Sequence, residues 1–315
     1  MCSLSARQAS AFAFALGAVK LGAVRGIRFP KLGACVGLGR YLRRRITVPI
    51  VERLDMQGQL LLEMHLQQLL RTPPYDSAKR LERHGFRAFS QNDEDGILQE
   101  ILRRIGPGDK TFVEFGVQDG LQNNTRLLLY QGWRGLWIEA DATACGSVRR
   151  SFASEVTSGQ LQLSQSFVTT QNIVSLIAQA RLGEIDVLSI DIDGNDYWIW
   201  EAISLTPRVF IVEYNAKFPP PTKWVMQYNP THRWDYTDYQ GASLEALTEL
   251  GRTKGYTLVG CCLAGVNAFF VRNDLVEDRF APPDTTALYN PPRYYMQRFL
   301  PSGHPSGAFG RYTLL

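Results

Sequence analysis

An α/β fold with a mostly parallel sheet is predicted by three observations. Short apolar runs alternate with stretches of helical composition across the middle of the chain. Several of those runs end in an acid, at Glu139, Asp191 and Glu213. The last two runs are separated by only a short turn, as in a hairpin. Alternation of this kind implies parallel strands joined by crossover helices, closed here by an antiparallel pair.

The elements follow in order. Asp93–Ile105 carries Ile97, Leu98, Ile101, Leu102 and Ile105 at helical spacing. The first strand, Phe112–Phe115, runs into the turn Gly116–Gly120. A helix at Asn124–Tyr130 and a second strand at Leu136–Glu139 follow. A third strand is expected over Leu161–Val168, a helix over Ile173–Ala180, and a fourth strand over Val187–Ile192. A helix from Tyr197 to Ile203 leads past the break at Pro207 to strand Val209–Glu213. Helix Ser243–Lys254 precedes the hairpin Tyr256–Cys262 and Ala268–Arg272, which turns at Ala264-Gly265. Seven strands are predicted, five of them parallel.

Outside this body the chain changes character. Residues 1–80 are read as a basic, partly helical arm, residues 81–280 as the body, and residues 281–315 as a Pro/Gly/Tyr-rich tail that wraps or lids it. Residues 1–50 hold nine basic residues and no acid, so the net charge of +4 divides into +9 there and −5 elsewhere. The apolar run Ala9–Val19 is too short to span a bilayer. With Arg40–Arg45 it suits an interfacial anchor on anionic lipid; the competing reading is a helix packed on the body or on another subunit. Leu54–Leu70 reads as a helix ending before Pro73-Pro74, with a broad apolar face suited to packing or homo-oligomerisation. The five cysteines lack CxxC spacing, which speaks against a zinc site and for reduced, structural thiols. Cys261 and Cys262, adjacent on a strand, should face opposite ways.

The unit Thr111–Asp141 reads strand, glycine turn, helix, strand, acid, the first crossover of a nucleotide-binding α/β domain. A dinucleotide fingerprint needs G-x-G-x-x-G, and only Gly116 and Gly120 are present. Glu114 and Asp119 bracket the turn and would repel a pyrophosphate. A cationic cofactor without phosphate, such as S-adenosylmethionine, suits them better, with Glu139 placed to accept from ribose hydroxyls.

These residues resemble a known family. Phe112–Gly120, Trp137–Asp141, Leu188–Gly194 and Phe210–Glu213 are similar to the sequential motifs of class I S-adenosylmethionine-dependent methyltransferases. The run Ile190-Asp191-Ile192-Asp193-Gly194 and the lead-in Phe89-Ser90-Gln91 look most like the FkbM-type branch. The resemblance covers about residues 86–275. It implies a Rossmann-like class I methyltransferase fold and O-methylation, often of sugars and polyketide-like products. The turn departs from the commoner GxGxG pattern.

The expected cofactor-binding residues are Glu114, Gly116, Asp119, Gly120, Glu139 and Asp191. An alcohol is a poor nucleophile at neutral pH, so a base or a metal is needed. Asp193 and the loop residue His232 are the candidate bases. Asp191, Asp193, Glu213 and Asn215 form the candidate oxygen ligand set for Mg²⁺ or another divalent metal, on the expectation that a two-residue period turns each pair the same way. Asp196 has the competing role of a helix cap. Trp224, Tyr228, Trp234, Tyr236 and Tyr239 crowd the same insert, as in a sugar-binding lip.

The function expected is O-methyl transfer to a hydroxyl of a glycan, glycolipid or related metabolite. The location expected is cytoplasmic, peripheral at the inner face of a membrane. The competing readings are methylation of a small molecule or a protein, and a non-catalytic assembly or partner-binding protein with the same fold. Nucleic acid is disfavoured as a partner: the body has no second basic, aromatic-laced stripe, and Asn290-Pro291-Pro292-Arg293 is out of order for a base clamp.

Overall fold

The computed structural model describes residues 48–106, 108–235 and 237–296. The arm's basic cluster, its Ala9–Val19 run, Cys2, Cys35, Tyr236 and the end of the tail lie outside the described residues. The chain divides into two compact units, residues 1–61 and 62–315. What is described of the first is the start of helix α1, Val48–Leu69, which begins six residues earlier than expected. Along α1 the side chains of Leu54, Met56, Leu60, Leu61 and Met64 are exposed. No described helix is long and apolar enough to cross a membrane.

The second unit is a seven-stranded sheet. Its strands are β1 Thr111–Phe115, β2 Arg134–Glu139, β3 Leu161–Gln165, β4 Val187–Ile190, β5 Val209–Glu213, β6 Tyr256–Cys261 and β7 Asn267–Arg272. They lie in the order β3-β2-β1-β4-β5-β7-β6. The first five are parallel, and β7 runs antiparallel to both β5 and β6. The predicted architecture is therefore the observed one. Order reverses at β1, between β2 and β4, and the crevice at such a switch point opens at the carboxyl ends of the strands.

Helices cover both faces. One face packs Phe112, Val187, Val209, Ile211 and Phe269 against α2, Glu94–Ile105, and α3, Arg126–Tyr130. The other packs Val113, Leu188, Phe210 and Phe270 against α6, Ile173–Gln179, α7, Asp196–Ala202, and α8, Leu244–Thr253. Burial on both sides explains why β1 and β4 read as continuous apolar runs. Cys261 and Cys262 fall into the two opposite cores, as alternation demands.

Two helices, α4 Ala142–Ser151 and α5 Ala153–Ser158, were not visible in the sequence pattern. They bury little, only Cys145 and Val148 in α4 and nothing in α5, so no apolar stripe marks them. The local signal is Asp141, whose carboxylate caps α4 by accepting the Ala144 N–H. Two short helices, α9 Asn273–Val276 and α10 Thr285–Leu288, close the described chain. Residues 289–293 pack on the body: Asn290 bonds Tyr75, Glu82 and the Cys261 carbonyl, and Arg293 donates to the Leu263 carbonyl.

Strand β4 stops at Ile190, two residues short of the expected end, and β3 stops at Gln165. The reason at β4 is Asp196, whose two carboxylate oxygens accept the Ile192 and Gly194 N–H groups at 3.0 and 2.9 Å. Those donors leave the ladder for a turn. Asp193 there takes a left-handed φ of 53°, rare outside glycine.

The opposite end of the sheet is locked by a buried ion pair. Asp186 accepts from Gly108 N and Arg208 Nη1 on one oxygen, at 2.7 and 2.8 Å, and from Thr111 N on the other. Arg208 also donates to the Ile105 carbonyl. Removing one partner leaves a buried charge uncompensated, so Asp186→Ala is expected to cost about 3–5 kcal/mol. Urea unfolding of the variant against the parent checks this, with β1, β4 and β5 loosening together.

Candidate active site

A cavity of about 880 Å³ opens at the carboxyl ends of β1, β2, β4 and β5, within the usual size range for small-molecule sites. The β1 loop contributes Gly116, Gln118 and Asp119; β2 contributes Glu139; β4 and its turn contribute Asp191 and Asp193; β5 contributes Glu213.

Gly116 has a φ of 74°, and a Cβ there would lie 1.8 Å from the Asp191 carbonyl oxygen. Only glycine allows β1 and β4 to approach so closely at the crevice. Glu139 clamps the loop from the other side: one oxygen accepts the Gln118 N–H at 2.7 Å and the other the Asp141 N–H at 2.8 Å. Each carboxylate oxygen has a second lone pair, so the group still faces the cavity as an acceptor. Asp119 lines the cavity while accepting the Leu121 N–H.

Two expected cofactor residues sit elsewhere. Glu114 does not line the cavity: it is buried, and its oxygens accept from Asn124 N, Thr125 N and the Thr125 hydroxyl at the start of α3. Burial pushes its carboxyl up to about 7 against those bonds. Gly120 does not line the cavity either; it packs on the core, where a Cβ would lie 2.8 Å from the Phe152 ring and 2.9 Å from that of Trp137.

Asp191, Asp193 and Glu213 converge, each offering an oxygen within 4.8 Å of the others. They do so through the turn built by Asp196 and not by strand alternation. None of the three side-chain carboxyl groups accepts a hydrogen bond from a described residue. Burial, then repulsion from Asp193 and other acids, holds Asp191 well above the usual carboxylate range; burial, then Asp191, does the same to Glu213. Burial raises Asp193 too, with His232 pulling the other way. Asn215 does not join them. Its amide donates to the Asp238 and Gln240 carbonyls and its oxygen accepts the Lys217 N–H, so it anchors the following insert. Asp196, taken up by its two backbone bonds, is likewise structural, and burial raises it to about 6.

His232 reaches the cavity with Nε2 3.1 Å from the Asp193 carbonyl oxygen. A carbonyl only accepts, so Nε2 carries a proton, and in the neutral ring Nδ1 is the acceptor. Its ring fills the space a side chain at Gly194 would need, 2.3 Å from the position of a Cβ. Sequence reasoning missed Gln91, Phe167 and Arg233, all lining the cavity. Gln91 belonged to a motif quoted for its resemblance alone. Phe167, 38% exposed, was assigned to a strand. Arg233 sat in the loop chosen for its histidine.

The three acids titrate above their ordinary range, so the folded protein holds protons the unfolded chain has released. Their stabilising protonated forms are complete below about pH 4 and are lost as pH rises through the raised folded values. Asp191→Asn should therefore stabilise the ligand-free protein, with a larger Tm gain at about pH 8 than at about pH 5. Thermal melts of both proteins at the two pH values check this.

No protein-family model matches this chain, and no curated protein matches it. Among solved structures it is similar to the glycopeptide N-methyltransferase MtfA complexed with S-adenosyl-L-homocysteine, at 17% identity and a TM-score of 0.38, covering 64% of this chain and 98% of that one. It is similar to an S-adenosylmethionine-dependent methyltransferase from Clostridium acetobutylicum ATCC 824, at 9% identity and a TM-score of 0.38, covering 67% and 99%. The small RNA methyltransferase HEN1 matches at 15% identity and a TM-score of 0.37 over 61% of this chain, which spans about a quarter of that protein, 26%. All three are methyltransferases. At these identities and TM-scores the likenesses bear on no substrate, and the fold stands on its own strand order.

Proposed function

We propose that this cavity binds S-adenosylmethionine and that the protein is an O-methyltransferase acting on a hydroxyl of a glycan, glycolipid or related metabolite. One observation carries the reading. Glu139 and the group Asp191, Asp193 and Glu213 share a single cavity with Asp119, and among the described residues Arg233 is its only lysine or arginine. Five carboxyl groups against one guanidinium match a phosphate-bearing cofactor poorly and suit a cation. The FkbM-type resemblance of the motifs points the same way.

When bound, S-adenosylmethionine supplies an electrophilic methyl on a sulfonium and a thioether leaving group. Glu139 would accept from ribose hydroxyls. Gly116 and Asp119 would meet the methionine end. Asp193, unengaged and facing the cavity, would take the acceptor's proton as the O–CH₃ bond forms and the S–CH₃ bond breaks, with the electron pair staying on sulfur. His232 would orient Asp193 through its carbonyl and offer Nδ1 as a second acceptor. The oxygens of Asp191, Asp193 and Glu213 also suit a hard divalent cation such as Mg²⁺, which would relieve their repulsion and hold the acceptor oxygen. The basic arm would bring the enzyme to the inner face of a membrane carrying a lipid-linked acceptor.

Calorimetric titration with S-adenosylhomocysteine after chelation, with and without Mg²⁺, tests the cofactor. Binding is expected, and Glu139→Ala should weaken it by about tenfold or more, roughly 1.4 kcal/mol. Asp193→Ala should bind like the parent yet lose turnover by about 10²–10⁴-fold. Absence of binding in both conditions would favour the non-catalytic reading.

A further inference from the structure

Among the described residues Arg233 is the one lysine or arginine lining an acidic cavity, and the loop around it is tied at several points. His232 on one side is fixed to the Asp193 carbonyl at 3.1 Å. Trp234 on the other donates its indole N–H to the Thr237 carbonyl at 2.8 Å. Four residues earlier, the Asn195 amide clasps the Asn229 backbone, donating to its carbonyl at 2.7 Å and accepting its N–H at 3.2 Å. The nearest acid in sequence, Asp235, is diverted into bonds from the Thr237 N–H and hydroxyl at 3.1 and 2.6 Å. Arg233 is exposed, lines the cavity, and makes no ion pair or hydrogen bond with any described residue.

A guanidinium presents a planar fork of donors that matches a carboxylate or phosphate in two bonds. The cavity floor, with Asp191, Asp193 and Glu213, offers such groups no cation. Among the described residues, the guanidinium an entering anion can meet is that of Arg233. We propose that the acceptor carries an oxyanion, bound by Arg233, which directs the acceptor's hydroxyl toward Asp193. The inference rests on the methyl-transfer reading for the hydroxyl's fate, but anion recognition is testable without it.

The test uses the full chain and ligand-observed NMR, which detects weak binding, with glucose, glucuronate and glucose 6-phosphate as probes. Each is titrated with and without saturating S-adenosylhomocysteine. At least one anionic sugar is expected to bind about tenfold or more tighter than glucose; which one does separates carboxylate from phosphate recognition. Arg233→Ala should bring that sugar to within about twofold of glucose and Arg233→Lys should keep part of the preference, with S-adenosylhomocysteine affinity unchanged in both. Equal binding of all three sugars, or a preference that survives Arg233→Ala, would overturn the proposal. If S-adenosylhomocysteine fails to bind while the Arg233-dependent preference persists, the methyl-transfer reading falls and the oxyanion site stands.

Discussion

The site depends on one carboxylate that never touches it. Asp196 is fully buried and spends both oxygens on the backbone of the turn before it, at Ile192 and Gly194. Those two bonds end β4, force Asp193 into a left-handed conformation, and bring Asp191 and Asp193 around to meet Glu213 from the next strand. Gly194, in the same turn, is buried with the His232 ring packed against it. The reacting centre and its flanking loop therefore share one support at the first turn of α7.

That support maintains an unfavourable arrangement. Three carboxylates without donors, crowded and half-buried, repel one another, and each is pushed toward its neutral form. Strained backbone at Gln118 and Asp193 borders the same cavity. Local cost of this kind persists where the surrounding structure over-determines it. Here the surroundings are the close contact at Gly116, the Glu139 clamp, and the Asp186–Arg208 lock at the far end of the sheet.

The sheet was legible because parallel central strands are buried on both faces and leave continuous apolar runs that period and punctuation delimit. The acids at strand ends were legible for the same reason, since they follow those runs. What failed was the inference from spacing to direction. Glu114 sits on a strand whose outward turn looked open, yet α3 begins directly over it and takes its oxygens. Asn215 repeats the spacing of Glu213 but bonds a segment more than twenty residues away. Helices α4 and α5 left no stripe because they bury almost nothing. The misses at Glu114 and Asn215 involve partners ten or more residues away, which no local pattern encodes.

The way the 215–243 insert is attached has a consequence for how this protein can change. The insert's hydrogen bonds to the turn and helix beneath it, other than that of His232, are made among the described residues by its main chain. The Asn229 N–H and carbonyl meet Asn195, the Met226 carbonyl meets Trp198, and the Gly241 N–H meets the Gly194 carbonyl. Main-chain anchors hold a loop in place whatever side chains it carries. The insert can therefore exchange a residue such as Arg233 without losing its seat, while the half of the cavity bearing Glu139 and Gly116 stays as it is. One scaffold could acquire a succession of acceptors by revising a single loop.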